Sequence, residues 1–145
     1  MTRESFIIGS KEYAASKIPA FQANLLALKL QKIILPVVAS MAGNGQGKSI
    51  MDMDLSSAAS IISENLNESV MNDIVMPMFK LANVASVTDN VKIDSEINFN
   101  KVFSDDSGLA DFYELVFLVL KYNFGNFLAS LANRFGGNGG AATNS

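Results

Sequence analysis

The sequence predicts a mainly α fold with minor β, about four helices plus one or two small β-hairpins. Three observations lead there. Long stretches rich in Ala, Leu, Lys and Gln carry apolar residues at helical spacing. One stretch near residue 95 alternates with period two. Half of the chain is apolar (49%), with a mean hydropathy of +0.24 and only 17% charged residues. That balance excludes a disordered chain, which needs low hydropathy and high net charge. At 145 residues the chain fits one domain.

Taken in order, Phe6-Ile7-Ile8 is a short apolar run, and Gly9-Ser10 turns the chain. Glu12 to Ile18 then reads as a returning strand, although Ala14-Ala15 are poor strand formers. Helix follows Pro19, because proline suits a first turn whose N–H groups need no partner. Over Ala20 to Met41 two apolar sets have helical spacing: Phe21, Leu25 and Leu28, leading to Lys32, and Leu26, Leu30 and Ile33. Polar Gln22, Lys29 and Lys32 lie on another side. Pro36 should kink this helix or end its first part near Leu35. A Gly-rich linker occupies 43–49.

A second helix is expected over Leu55 to Leu66, with Asp54 as N-cap and Leu55, Ala58, Ala59, Ile62 and Leu66 on one face. A third is expected from Glu68 to about Leu81, interrupted by Pro77. Val91, Ile93, Ile97 and Phe99 then alternate with Lys92, Asp94, Glu96 and Asn98, which predicts a half-buried strand. Val84 to Thr88 is its expected partner across Asp89-Asn90. Ser104-Asp105-Asp106-Ser107-Gly108 is a break. The last helix runs from Leu109 to about Asn133. Every residue from Leu115 to Leu120 is apolar, so this helix must be covered on all sides. The domain is expected to span 1–135. Gly136 to Ser145, with four glycines, reads as a flexible tail.

The sequence holds no Cys, His or Trp. Thiolate nucleophiles, zinc fingers, Ser-His-Asp triads and imidazole acid–base chemistry are therefore excluded. Net charge is −3, the estimated pI is 4.8, and the Lys and Arg residues are scattered, which argues against nucleic-acid binding. The start, Met1-Thr2-Arg3-Glu4-Ser5-Phe6, lacks a signal-peptide h-region. No apolar stretch reaches the about 20 residues of a membrane span. Gly47-Lys48-Ser49 matches the end of a phosphate-binding loop, but Ala42 stands at its first glycine, and a helical pattern precedes it where a strand is needed. The segment is better read as an interhelical linker. Asp52 with Asp54, and Asp105 with Asp106, read as helix-capping acids rather than metal ligands. No catalytic residue, metal ligand or cofactor is expected. Core packing is the more common role for the seven Met, but ten Phe and the long apolar last helix already overfill a small core, which favours an adaptable binding surface as the other reading.

The residues also carry a resemblance. Phe6-Ile7-Ile8-Gly9-Ser10-Lys11-Glu12-Tyr13 and Lys17-Ile18-Pro19-Ala20-Phe21-Gln22-Ala23 lead into a Leu-rich helix. Asp111-Phe112-Tyr113-Glu114 opens an apolar helix that ends in Asn123-Phe124-Gly125-Asn126-Phe127 before a Gly-rich tail. This pattern, from Phe6 to Gly137, resembles the bacteriophage tail assembly chaperones. The resemblance implies a non-enzymatic protein of the infected host's cytoplasm. It would bind the long helical tape measure protein, keep it soluble and be displaced as the tail tube polymerises. It also implies self-association and a longer, frameshifted form. The alternative is a structural tail or baseplate component retained in the virion. A chaperone for a helical rod needs an apolar face for amphipathic helices. The candidate partner-binding residues are Phe112, Val116, Val119, Leu120, Phe124, Phe127, Leu131 and Phe135. Core packing is an equal reading for Phe112 and Val116.

Overall fold

The computed structural model describes residues 3–43, 60 and 62–131, with side chains described for 3–32, 60 and 62–126. Strands β1 (Arg3–Ile8) and β2 (Lys11–Ser16) form an antiparallel hairpin in which Phe6 faces Tyr13. Gly9 makes the turn at φ +60°, a left-handed conformation that glycine adopts without steric cost. Ala14 and Ala15 do lie in a strand. Both are buried, so tertiary packing overrides their weak propensity.

Two short strands, β3 (Ala85–Ser86) and β4 (Val91–Lys92), make a second hairpin. Its loop is Val87 to Asn90, wider than the expected two-residue turn, with Asn90 at φ 57°. The hairpins merge, since β2 pairs β3 through Tyr13–Ser86 and Ala14–Ala85. The result is one antiparallel sheet in the order β1-β2-β3-β4.

Helix α1 (Ala20–Gly43) starts directly after Pro19, whose carbonyl accepts the Ala23 N–H. It does not end at Pro36 but continues to Gly43. Of its two apolar sets, the one with Leu26 and Leu30 faces the core. The expected second helix falls mostly outside the described residues, which show one helical turn at 62–65.

Helix α2 has three stretches: α-helical Glu68–Val70, π-helical Met71–Val75 and α-helical Met76–Leu81. Asn67 caps it by accepting the Val70 N–H at 2.8 Å. Pro77 therefore does not break the helix. The wider turn sits just before it, where a missing N–H would leave the Asp73 carbonyl without its intrahelical donor. That carbonyl instead accepts from the Lys29 ammonium of α1 at 3.4 Å.

The long strand expected over Val91 to Phe99 is a correction. Pairing stops at Lys92, and helix α3 (Glu96–Val102) begins after Ser95, whose Oγ accepts the Asn98 N–H at 3.2 Å. Ile93, Phe99, Val102 and Phe103 turn inward, while Ile97 is exposed. A Ser N-cap and inward residues three to four apart outweigh a chance alternation. Helix α4 (Gly108–Leu131) closes the fold. Mainly α with minor β is thus the observed class.

The core centres on rings. Phe112 of α4 meets Phe79 at 6.0 Å, Phe99 at 4.8 Å and Phe103 at 5.5 Å between centroids, mostly edge-to-face. Tyr13 stacks on Phe103 and is fully buried, and its Oη has no hydrogen-bond partner among the described residues. Burial, with the nearby charges of Asp111, Asp89 and Asp105, pushes its phenol up to about 12. The unfolded chain ionises this group near 10, before the native state does. Stability contributed by Tyr13 is therefore complete below pH ~10 and is lost as pH rises toward about 12. Tyr13→Phe should remove this part of the alkaline loss. At neutral pH it should leave stability unchanged or raise it by about 1 kcal/mol, since it deletes an unsatisfied polar atom. Urea melts of both proteins from neutral to alkaline pH check this.

Candidate partner-binding surface

Sequence makes α4 apolar all round over Leu115 to Leu120, and the fold buries all of that run except Leu118, which is half-buried. The helix packs against α1 and β1, and its Phe112 ring also meets Phe79 of α2. Phe112, Val116, Val119, Leu120 and Phe124, all expected to contact a partner, are buried at 0–7% exposure within this monomer. The first four join the core because the first part of α4 runs through the centre of the molecule, and Phe124 joins it from nearer the helix end. Phe127, Leu131 and Phe135 have side chains outside the described residues.

Near its end α4 departs from helical geometry at Phe124 (φ −126°, ψ 18°). The β2–α1 link holds this break in place. The Lys17 ammonium donates to the Tyr122 carbonyl and lies 4.0 Å from the centroid of the Tyr122 ring. Asn123 Oδ1 accepts the Ile18 N–H at 2.8 Å, and its Nδ2 donates to the Ser16 carbonyl at 3.4 Å. The sequence signal for the break is Asn123-Phe124-Gly125, where glycine weakens the helix.

Beside the break, α1, α4 and β1 enclose an open cleft of about 940 Å³. Phe6, Ala23, Ala27, Leu118 and Phe124 give it apolar walls. Glu4, Lys17, Asn24, Lys121 and Asn126 supply polar groups. Ala23 and Ala27 lie one helical turn apart, so small side chains keep this side of α1 low. Of the expected partner-binding residues with described side chains, Phe124 reaches this cleft. Sequence reading missed the alanines, because a short side chain signals an opening only when the facing wall is known.

On another side of α1, Phe21, Leu25 and Leu28 are exposed at 70%, 47% and 63%. This is the second of the two apolar sets at helical spacing, and one helix needs only one of them for the core. Elsewhere, Lys11 pairs with Asp89 at 2.9 Å and, with Ser86, holds that carboxyl below its ordinary range. Burial, with Asp111 nearby, raises Glu114. Both belong to the structural framework around the sheet and α4.

Among the described residues no three metal-ligating side chains converge, and Asp105 and Asp106 lie exposed between α3 and α4. Asp52, Asp54 and Gly47-Lys48-Ser49 lie outside the described residues. The chain ahead of that last motif is helical through Gly43, where a phosphate loop needs a strand. Among the described residues no helix is long and apolar enough to cross a membrane.

The arrangement thus offers apolar surfaces with polar edges for another chain to pack against. Comparison with curated proteins and with solved structures gave no significant match. The family model for the phage tail assembly chaperone protein, TAC, matches residues 9–136, which takes in strands β2 to β4, every described helix and the cleft walls from Lys17 onward. The chain belongs to the phage tail assembly chaperone family.

Proposed function

We propose that this protein binds the helical tape measure protein in the cytoplasm of the infected host, keeps it soluble, and leaves as the tail tube polymerises around it. The observation that carries this reading is the cleft between α1 and α4. Its volume of about 940 Å³ is that of about two turns of a helix 10 Å across. Apolar walls with charged and amide groups at the edges suit an amphipathic helix laid in a groove. The work is contact without chemistry: the client's apolar face is covered until tube subunits replace the chaperone.

Co-expression with the tape measure protein tests this. The wild-type chain should hold the client in the soluble fraction. Ala27→Arg, which fills the cleft from α1, should lower soluble client about tenfold, which corresponds to about 1.4 kcal/mol of lost binding. Its own thermal unfolding should stay cooperative. A client that precipitates with the wild-type chain overturns the function. A client kept soluble by a folded Ala27→Arg variant overturns the site. Mass spectrometry of purified particles separates a chaperone, which should be missing, from a structural subunit at fixed copy number.

A further inference from the structure

The cleft leaves one apolar surface of α1 unused. Phe21, Leu25 and Leu28 stand at i, i+4 and i+7, so they form one stripe about 10 Å long. All three point away from Leu26 and Leu30, which carry the helix's core contacts. Exposed apolar stripes of this kind mark binding surfaces.

The charges beside the stripe select its occupant. From Ala20 to Gly43 the helix holds Lys29 and Lys32 and no Asp or Glu, in a chain whose net charge is −3. Lys32 is exposed and continues the line of Phe21, Leu25 and Leu28. Lys29 is also exposed. Its ammonium donates to the Asp73 backbone carbonyl, while an Asp73 carboxylate oxygen accepts from Ser69. Antiparallel copies packed through this face would leave the lysines with no carboxylate of α1 opposite them, and parallel copies would bring lysines together. Like charges across an interface disfavour that pairing.

We infer that the outward face of α1 is a second docking site, for an amphipathic α-helix whose apolar stripe is flanked by Asp and Glu. This rests on the reading of the protein as a chaperone for a helical client, and it states which client segments are recognised. Segments with acidic flanks bind here. Segments with basic flanks do not.

Two synthetic amphipathic helices of about 20 residues test it. They share one Leu stripe and differ only in Glu or Lys flanks. Titrated into the full chain at low salt, the Glu-flanked helix should bind about tenfold more tightly, and rising ionic strength should shrink that gap. Phe21→Ser with Leu25→Ser and Leu28→Ser should abolish binding and keep cooperative unfolding. Lys29→Glu with Lys32→Glu should reverse the preference. Equal affinity for both peptides, or undiminished binding by a folded triple variant, overturns the inference. So does a dimer in sedimentation that the triple variant dissolves, because a second copy would then cover the face. Failure of the peptide assay while wild-type chain still keeps the tape measure protein soluble defeats this inference alone. Precipitation of that client with wild-type chain defeats the reading beneath it.

Discussion

Phe112→Ala should cost about 3–5 kcal/mol. Its ring meets those of Phe79, Phe99, Phe103 and Tyr113, so it joins α2, α3 and α4 at one point. Truncation removes these contacts and opens a cavity among rigid rings that cannot collapse to fill it. For a chain of this size, each kcal/mol moves the melting temperature by about 3–4 °C. The midpoint should fall by roughly 10–20 °C, or cooperative unfolding should vanish if native stability is at the low end of its usual range. Phe21→Ala, made on an exposed ring of α1, should change stability by about 0.5 kcal/mol or less. The pair decides what a phenylalanine count cannot, namely which rings serve the core and which serve a partner. An unchanged midpoint in Phe112→Ala would return that residue to the partner-binding face.

The reason Phe112 and Val116 could be assigned to either role lies in what periodicity measures. It identifies a face as apolar and does not say what covers it. For α4 the continuous run Leu115 to Leu120 settles that cover exists, because no helix leaves such a run in water. Whether the cover is intramolecular depends on α1, α2 and the sheet, whose positions no local pattern encodes. In α1 the ambiguity is sharper. Two sets share the same spacing, and Leu26 and Leu30 are chosen over Phe21 and Leu25 only by the direction from which the helix meets its neighbours. Near residue 95 a local signal was available. Ser95 followed by Asn98 marks a helix start, and it competed with an alternation that ended up half false: Ile93 is buried and Ile97 is not. The cleft was the least legible feature. It depends on short side chains at Ala23 and Ala27 and on a break at Phe124 fastened by Lys17 and Asn123, residues more than a hundred positions apart in the chain. The family pattern was legible despite this, because it is carried by the order of segments and not by the geometry between them.

Gly108→Ala should destabilise the fold by about 3 kcal/mol, at the top of the range for overpacking. Elsewhere at a helix, replacing glycine by alanine stabilises by about 0.5–1 kcal/mol, through better propensity and a stiffer unfolded chain. Here space reverses the sign. A Cβ on Gly108 would lie 2.0 Å from the Phe103 carbonyl oxygen and 2.5 Å from its carbon. These are backbone atoms, so no rotamer change relieves the clash, and the α3–α4 junction must open. Phe103 and Phe112 flank that junction with their rings 5.5 Å apart, and Phe103 also stacks on Tyr13. Opening it therefore disturbs the same aromatic cluster that Phe112→Ala empties, and reaches the sheet through Tyr13. Urea unfolding should show a lower midpoint with an unchanged slope, the mark of lost stability at constant exposed surface. A higher midpoint would mean that the junction yields at little cost and that the ordinary helical preference for alanine prevails. The cleft lies at the other end of α4. A Gly108→Ala protein that remains folded at low temperature should therefore still hold the client. That would separate the part of α4 that builds the fold from the part that receives a partner.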